Sequence, residues 1–347
     1  MSSRSDQGSS ISNEQYKRGD CCGGETPSAA ELSDRCNAGA QPVPCEIGSA
    51  SPELHTELPR QVRERAWLKI PTAEQRREEI RFPPPPEKIH RRWDRLVRLL
   101  GMDGVRRMQG AHMTVFGLGG VGSYLVEALA RSAAGRLTLV DFDDVCVTNL
   151  NRQLQAFPET VGRSKALLLA ERVQAINPEV SVDPVQAFFE AATSEALLTP
   201  RPDVVVDAID NVTSKVFLLA TCARLQIPVI SVTGAGARLD PSRIQIADLT
   251  RTRVDPLARV LRKELARRGI GADGAAGIPV VFSDEEVLEP EVPDWDVQSG
   301  FQCICPHRED SPHACEKRRT IYGTATFMTA AFGMTAASWV VRHVTGR

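Results

Sequence analysis

The six residues Gly117-Leu118-Gly119-Gly120-Val121-Gly122 constrain this chain more than any other stretch. They stand between MTVFG (113–117), which reads as a buried strand, and residues 120–134, which carry helical spacing. Glycines at G-x-G-x-x-G spacing in a strand–turn–helix setting make a tight turn. Its backbone can approach a phosphate, and the last glycine lets the helix pack closely on the sheet. The helix N-terminus then offers unpaired N–H groups to an anion. The same pattern also describes a tight turn without a ligand; the strand before it and the helix after it favour a nucleotide site.

The surrounding pattern is regular. RLTLVD (136–141) is a second strand, and residues 164–176 are a helix stopped by Asn177-Pro178. VVVDAID (204–210) is a strand, residues 212–225 a helix, and PVISVTG (228–234) a further strand. Strands alternating with helices imply βαβ units, and so an α/β, Rossmann-like fold: a mostly parallel sheet with flanking helices. Upstream, HRRWDRLVRLLG reads as a short basic helix ending at Gly101. After Gly234, RIQIADL alternates like a strand with one exposed face, residues 255–268 form a basic helix, and an irregular C-terminal extension runs to about Thr320.

Composition sets the domain limits and excludes some classes. Residues 1–80 are expected to be a disordered tail and Pro-rich spacer, rich in Ser, Gly and Pro and closed by Phe82-Pro83-Pro84-Pro85-Pro86, with residues 81–347 as one folded domain. The first fifteen residues lack the apolar core of a signal peptide. With 42 basic and 44 acidic residues the net charge is −2, so bulk charge gives no sign of nucleic acid, although a local basic patch remains compatible with it. Nine cysteines in two clusters, with Cys146 and Cys222 apart, do not resemble a secreted disulfide framework and point to a reducing, cytoplasmic setting. TIYGTATFMTAAFGMTAASWVV (320–341) is uncharged and long enough to span a bilayer, but its Ala, Thr and Gly content favours a buried helix over a membrane span.

Asp141 closes the second strand, where an acid can accept from both hydroxyls of a ribose. A nicotinamide site would need little more. Here Asn151, Arg152 and Gln153 follow, Lys165 opens the next helix, and Asp210 ends a later strand at the edge where ligands of parallel sheets collect. Two cations and a carboxylate suit a nucleoside triphosphate and Mg²⁺. Each has a plainer alternative: Lys165 as a solvated residue, Arg152 in a surface ion pair, Asp210 as a helix N-cap. Their combination favours ATP.

GLGGVG, LVDFDDVCVTNLNRQ, VGRSKA and DAIDN resemble the adenylating superfamily of ThiF, MoeB and ubiquitin-activating enzymes. AINPE, VTGAGARLDPSRIQIADL and GTATFMTAAFGM are similar to its tRNA threonylcarbamoyladenosine dehydratase branch, from about His90 onward. The resemblance implies an ATP loop at Gly117, Gly119, Gly120 and Gly122, and a ribose contact at Asp141. Asp143, Asn149, Asn151, Arg152 and Gln153 would line the phosphate side, with Arg152, Lys165 and Asp210 catalytic and Asp210 holding Mg²⁺. It further implies a homodimer in which an arginine before the first strand reaches the neighbouring subunit's ATP. Arg98 matches best, with Arg92 and Arg95 as rivals. The implied substrate is tRNA carrying N6-threonylcarbamoyladenosine beside the anticodon, whose threonyl carboxylate is adenylated and then closed into a ring. Sulfur-mobilising partners, a cysteine desulfurase or a sulfur acceptor, stay open.

Members of this branch often carry a cysteine two residues before a Phe-Ser pair; here the pair is Phe282-Ser283 and the position is Val280, so a cysteine-independent cyclisation is expected. Cys303, Cys305, His307, His313 and Cys315 are rich enough in ligands for structural zinc, but the usual C-x-x-C pair is missing and a metal-free loop is the alternative. Arg259, Arg262, Lys263, Arg267 and Arg268 on the basic helix would meet tRNA phosphates or form a solvated face. Two rival functions remain: activation of the C-terminus of a ubiquitin-like sulfur carrier, and a binding module or nicotinamide enzyme on the same fold.

Overall fold

A computed structural model of the chain describes residues 71–79, 85–296, 304 and 320–347. Seven strands form one sheet: β1 (His112–Phe116), β2 (Arg136–Val140), β3 (Ser181–Val185), β4 (Val204–Asp207), β5 (Val229–Val232), β6 (Ile244–Asp248) and β7 (Pro279–Ser283). Their spatial order is β3-β2-β1-β4-β5-β7-β6. All neighbours pair in parallel except β6, which runs antiparallel to β7. From β1 the chain first builds outward through β2 to β3, then returns to the other side of β1 with β4. The crevice at the carboxyl ends of β1 and β4 is therefore a topological switch point.

The parallel strands are apolar along their length because both faces are covered. Alternate residues serve opposite layers: Val204 and Val206 of β4 pack into one cluster, and Val205 into the other. The first layer holds α2 (Asp94–Gly110), α3 (Gly120–Arg131), α4 (Lys165–Ile176) and α8 (Thr326–Thr345), and the second α6 (Val212–Leu225) and α7 (Pro256–Ala266). Two short helices, α1 (Ala73–Glu79) and α5 (Ser194–Leu197), complete the described α-helices. Helix α8 presents Met328, Phe332, Ala336 and Val340, four residues apart and all buried, to the core. It lies tight on α3, since a Cβ at Gly333 would stand 2.5 Å from the carbonyl oxygen of Val121. No helix among the described residues is long and apolar enough to cross a membrane.

Four expectations need correction. The basic helix does not end at Gly101: it kinks there, at φ 74°, and continues to Gly110. The stretch expected to be irregular as far as Thr320 contains β7, whose residues are almost entirely buried. The edge strand β3 was not anticipated either; it carries Asp183 and Pro184 and is half-buried, so it lacks an apolar run. Residues 73–79, assigned to the disordered tail, form α1, and Arg76 on it is buried. Its guanidinium donates to Asp183 Oδ2 at 2.7 Å and to the carbonyl of Thr199 at 3.0 Å. Residues 1–70 and most of the Pro run lie outside the described residues.

Candidate active site

The glycine turn sits at the switch point, between β1 and α3. Gly117 has φ 87°, and a Cβ there would stand 2.5 Å from the carbonyl oxygen of Ala208. A Cβ at Gly122 would meet the Gly117 carbonyl oxygen at 1.9 Å, so α3 can approach the turn only with glycine at that position. Gly119 is different: a Cβ there would touch only Gln153 Nε2, at 3.7 Å. Packing against the described residues does not require a glycine there.

Asp141, one residue beyond β2, is buried against this turn. Its Oδ2 accepts from Leu118 N at 2.6 Å and its Oδ1 from Asp143 N at 2.8 Å. Burial raises its carboxyl to about 6; the Lys165 ammonium pulls it back down, and Asp143 and the two backbone N–H groups add smaller effects. Lys165, also buried, donates from Nζ to Asp143 Oδ2 at 2.7 Å. Burial opposes the charge on Lys165, but Asp143, Asp141 and Asp210 together raise its pKa, so it stays an ammonium. The helix carrying it starts cleanly because Ser164 caps α4, its hydroxyl accepting from Leu167 N.

The segment after Asp141 folds back on itself. Asn149 Oδ1 accepts from Cys146 N at 3.0 Å, and the Asn149 carbonyl accepts from the N–H groups of Arg152 and Gln153. Asn149 thus shapes this turn, and it is buried within it. Gln153 is buried beside Gly119. Arg152 lies on the same turn, half-buried; its guanidinium donates to the Thr148 carbonyl at 2.7 Å and to Asn151 Oδ1 at 3.0 Å. Asn151 in turn donates to the Thr324 carbonyl at 2.8 Å, and Thr326 Oγ1 donates to the Asn151 carbonyl, which fastens the loop to the start of α8.

Asp210 is exposed beyond β4 and is close enough to act on Lys165. It is not the cap of α6; Asn211 is, accepting from Ser214 N at 2.9 Å. Arg98 lies on the exposed side of α2, paired with Asp94 at 3.1 Å, and Arg92 pairs with Glu179 at 3.2 Å. On α7, Arg262 turns inward to Thr252; Arg259 and Lys263 are exposed, as are Arg267 and Arg268 just past its end, which pair with Glu264. Cys222 is fully buried, its thiol pushed up to about 12, chiefly by that burial. Cys146 is also buried. Cys303, Cys305, His307, His313 and Cys315 lie outside the described residues, and among the described residues no three His, Cys, Asp or Glu side chains group to hold a metal.

Sequence reasoning missed three residues. Gln155 is buried and donates to the Leu118 carbonyl at 2.8 Å, with its Oε1 lacking a hydrogen-bond partner among the described residues. Asp207 and Lys215 form a fully buried ion pair at 2.8 Å beneath the turn that carries Asp210. A lysine inside the otherwise apolar helical run KVFLLATC was the available signal for the pair.

A sheet that reverses its building direction at a glycine turn is the frame of the doubly wound nucleotide-binding proteins. Residues 93–347 match the ThiF family. The chain belongs to that family, within its tRNA threonylcarbamoyladenosine dehydratases. It is 39% identical over 258 residues to the tRNA threonylcarbamoyladenosine dehydratase of Haemophilus influenzae, a match covering 74% of this chain and 94% of the relative. The crystal structure of the Escherichia coli tRNA N6-threonylcarbamoyladenosine dehydratase in complex with AMP superposes with a TM-score of 0.64 at 36% identity, covering 74% of this chain and 94% of that one. The same E. coli protein in complex with ATP gives a TM-score of 0.63 at 36% identity, with the same coverage.

Proposed function

We propose that this chain dehydrates N6-threonylcarbamoyladenosine in tRNA, using ATP to activate the threonyl carboxylate. The observation that carries this reading is Lys165: a buried ammonium held beside the glycine turn by Asp143 at 2.7 Å, next to a buried acid placed for a ribose. A triphosphate gives such a cation phosphate charge to neutralise. The kinship to dehydratases, one of them solved with ATP, supplies the substrate.

In the reaction a carboxylate oxygen bonds to the α-phosphorus and the α–β phosphoanhydride breaks, releasing pyrophosphate. The carbamoyl group of the same nucleoside then attacks the acyl carbon, gives up its proton, and expels AMP. The lost oxygen leaves on AMP, and the net change is loss of water. The second nucleophile is already tethered, so ring closure needs little further ordering. Lys165 and Arg152 serve the charge that develops on the phosphates, Asp141 takes the ribose hydroxyls, and the N–H groups of Gly119 and Gly120 face the phosphate chain. Asn149, Asn151 and Gln153 hold the loop that presents Arg152.

Three carboxylates, Asp141, Asp143 and Asp210, act on the ammonium of Lys165. Of the three, Asp210 is exposed and would hold Mg²⁺ on the nucleotide. The ion, when bound, would supply charge neutralisation of the phosphate oxygens. No cysteine is needed: Val280, where a thiol would stand, is buried in β7. We assign a cytoplasmic homodimer in which Arg98 lends its charge to the partner's nucleotide. The support is the exposure of Arg98 next to Leu99 and Met102, large apolar side chains open to solvent on the same helix.

The deciding experiment supplies tRNA labelled with heavy oxygen in the threonyl carboxylate. Label recovered in AMP, together with a nucleoside lighter by one water, is the expected result. Pyrophosphate exchange stimulated by a ubiquitin-like carrier protein and not by modified tRNA would replace this reading with the carrier-activating one.

A further inference from the structure

The ion pair of Asp207 and Lys215 is the most deeply buried charge in the described residues that the reaction above leaves unused; both side chains have no exposed surface. Such a pair is a poor way to stabilise a fold, because apolar residues of equal volume often do better. Its contacts point elsewhere. Lys215 Nζ donates to Asp207 Oδ2 at 2.8 Å and to the carbonyls of Ile209 at 3.0 Å and Asp207 at 3.4 Å. Asp207 Oδ2 also accepts from Ser231 Oγ at 2.7 Å, and its Oδ1 from Ile209 N at 3.2 Å. The peptide groups on either side of Ala208 and Ile209 are thus gripped from both ends, and the next residue is Asp210.

The same short segment touches the glycine turn. Ala208 N donates to the Phe116 carbonyl at 2.8 Å, and the Ala208 carbonyl is the group that bars a Cβ at Gly117. A backbone clamped here fixes where Asp210 stands relative to the phosphate-facing turn.

We propose that Lys215 and Asp207 are positioning residues that set the Asp210 carboxylate for a divalent cation on the nucleotide. The inference rests on the metal role given to Asp210 above. It acts through the backbone: neither side chain meets the ligand, yet both fix the peptide on which the metal-facing acid is mounted. A clamp of this kind shows in the metal dependence of nucleotide binding, which a role in stability alone would leave unmoved.

The test measures ATP affinity by calorimetry on the full chain across a series of free Mg²⁺ concentrations, with thermal unfolding alongside. Asp210→Asn, the Lys215→Met/Asp207→Asn double variant and Ser231→Ala are compared with the parent. We expect Asp210→Asn to raise the half-saturating Mg²⁺ about tenfold, the double variant to raise it by a similar factor, and Ser231→Ala about threefold. If Asp210→Asn shifts the Mg²⁺ requirement and the double variant stays within twofold of the parent, the clamp is overturned while the metal role stands. No shift in Asp210→Asn sinks the metal role, and the clamp with it. Should the double variant fail to fold, Ser231→Ala decides: a shift supports the clamp, and an unchanged requirement overturns it.

Discussion

If Asp141 is the ribose acid proposed above, its surroundings set a measurable limit on nucleotide binding. Burial lifts its carboxyl from an ordinary 3.8 to about 6, a bias of roughly 3 kcal/mol against the charged form in the fold. Because the folded value lies above the unfolded one, the cost is absent below pH 3.8 and complete above about 6. In the proposed role, accepting from both ribose hydroxyls, Asp141 has to be ionised. ATP affinity is therefore expected to fall as pH drops through about 6, while the fold itself loses nothing from this group. Calorimetric titration between pH 5 and 8 would check it; the acid limb should vanish in Asp141→Asn, whose affinity is weak throughout. A parent affinity flat across that range would remove Asp141 from the nucleotide site. Asp141 and Lys165 were legible in the sequence because a strand end and a helix start announce themselves locally. Gln155 was not, and the Asp207–Lys215 pair left only a lysine in an apolar run as its sign, since what marks these residues is burial, a property of packing between distant segments.

Among the elements, the best tied is α7. Asp255 is buried at its N-terminus; one oxygen caps Ala258 N at 2.8 Å, and the other accepts from Thr233 Oγ1 at 2.9 Å and Arg238 Nη2 at 2.8 Å. Asp255→Ala removes a cap, worth ~1 kcal/mol, and strands the buried Arg238, worth roughly 3–5 kcal/mol. Thermal unfolding should fall by about 10 °C at this chain length. Arg238→Met with Asp255→Asn, which removes both charges and keeps a cap, should lose much less. Equal losses would show that the pairing is not what matters. The sequence placed β1, β2, β4, β5 and the helices between them because each carries its own apolar period. It did not reveal β3, an edge strand with a charge and a proline, or β7, whose five residues stand between a glycine-rich stretch and an acidic one. The kink at Gly101 was read as an end because a glycine with positive φ usually closes a helix.

At the scale of the whole molecule, a net charge of −2 leaves tRNA affinity to local patches. Arg259 and Lys263 are the exposed members of that basic set that do not pair with Glu264, so reversing both to Glu should weaken tRNA binding and flatten its salt dependence by about two charges' worth of slope. ATP binding without tRNA should be unchanged; a salt slope identical to the parent would clear α7 of any tRNA contact. The sheet sets one more condition. Val280 is paired to Ser231 on one side and Ala247 on the other, with helices over both faces. A sulfur atom introduced there by Val280→Cys should resist alkylating reagents until the protein is denatured, as mass spectrometry would show. In this fold a side chain at that position meets neighbouring strands and helices before anything else, so a thiol installed there would report on how tightly the interior is upholstered.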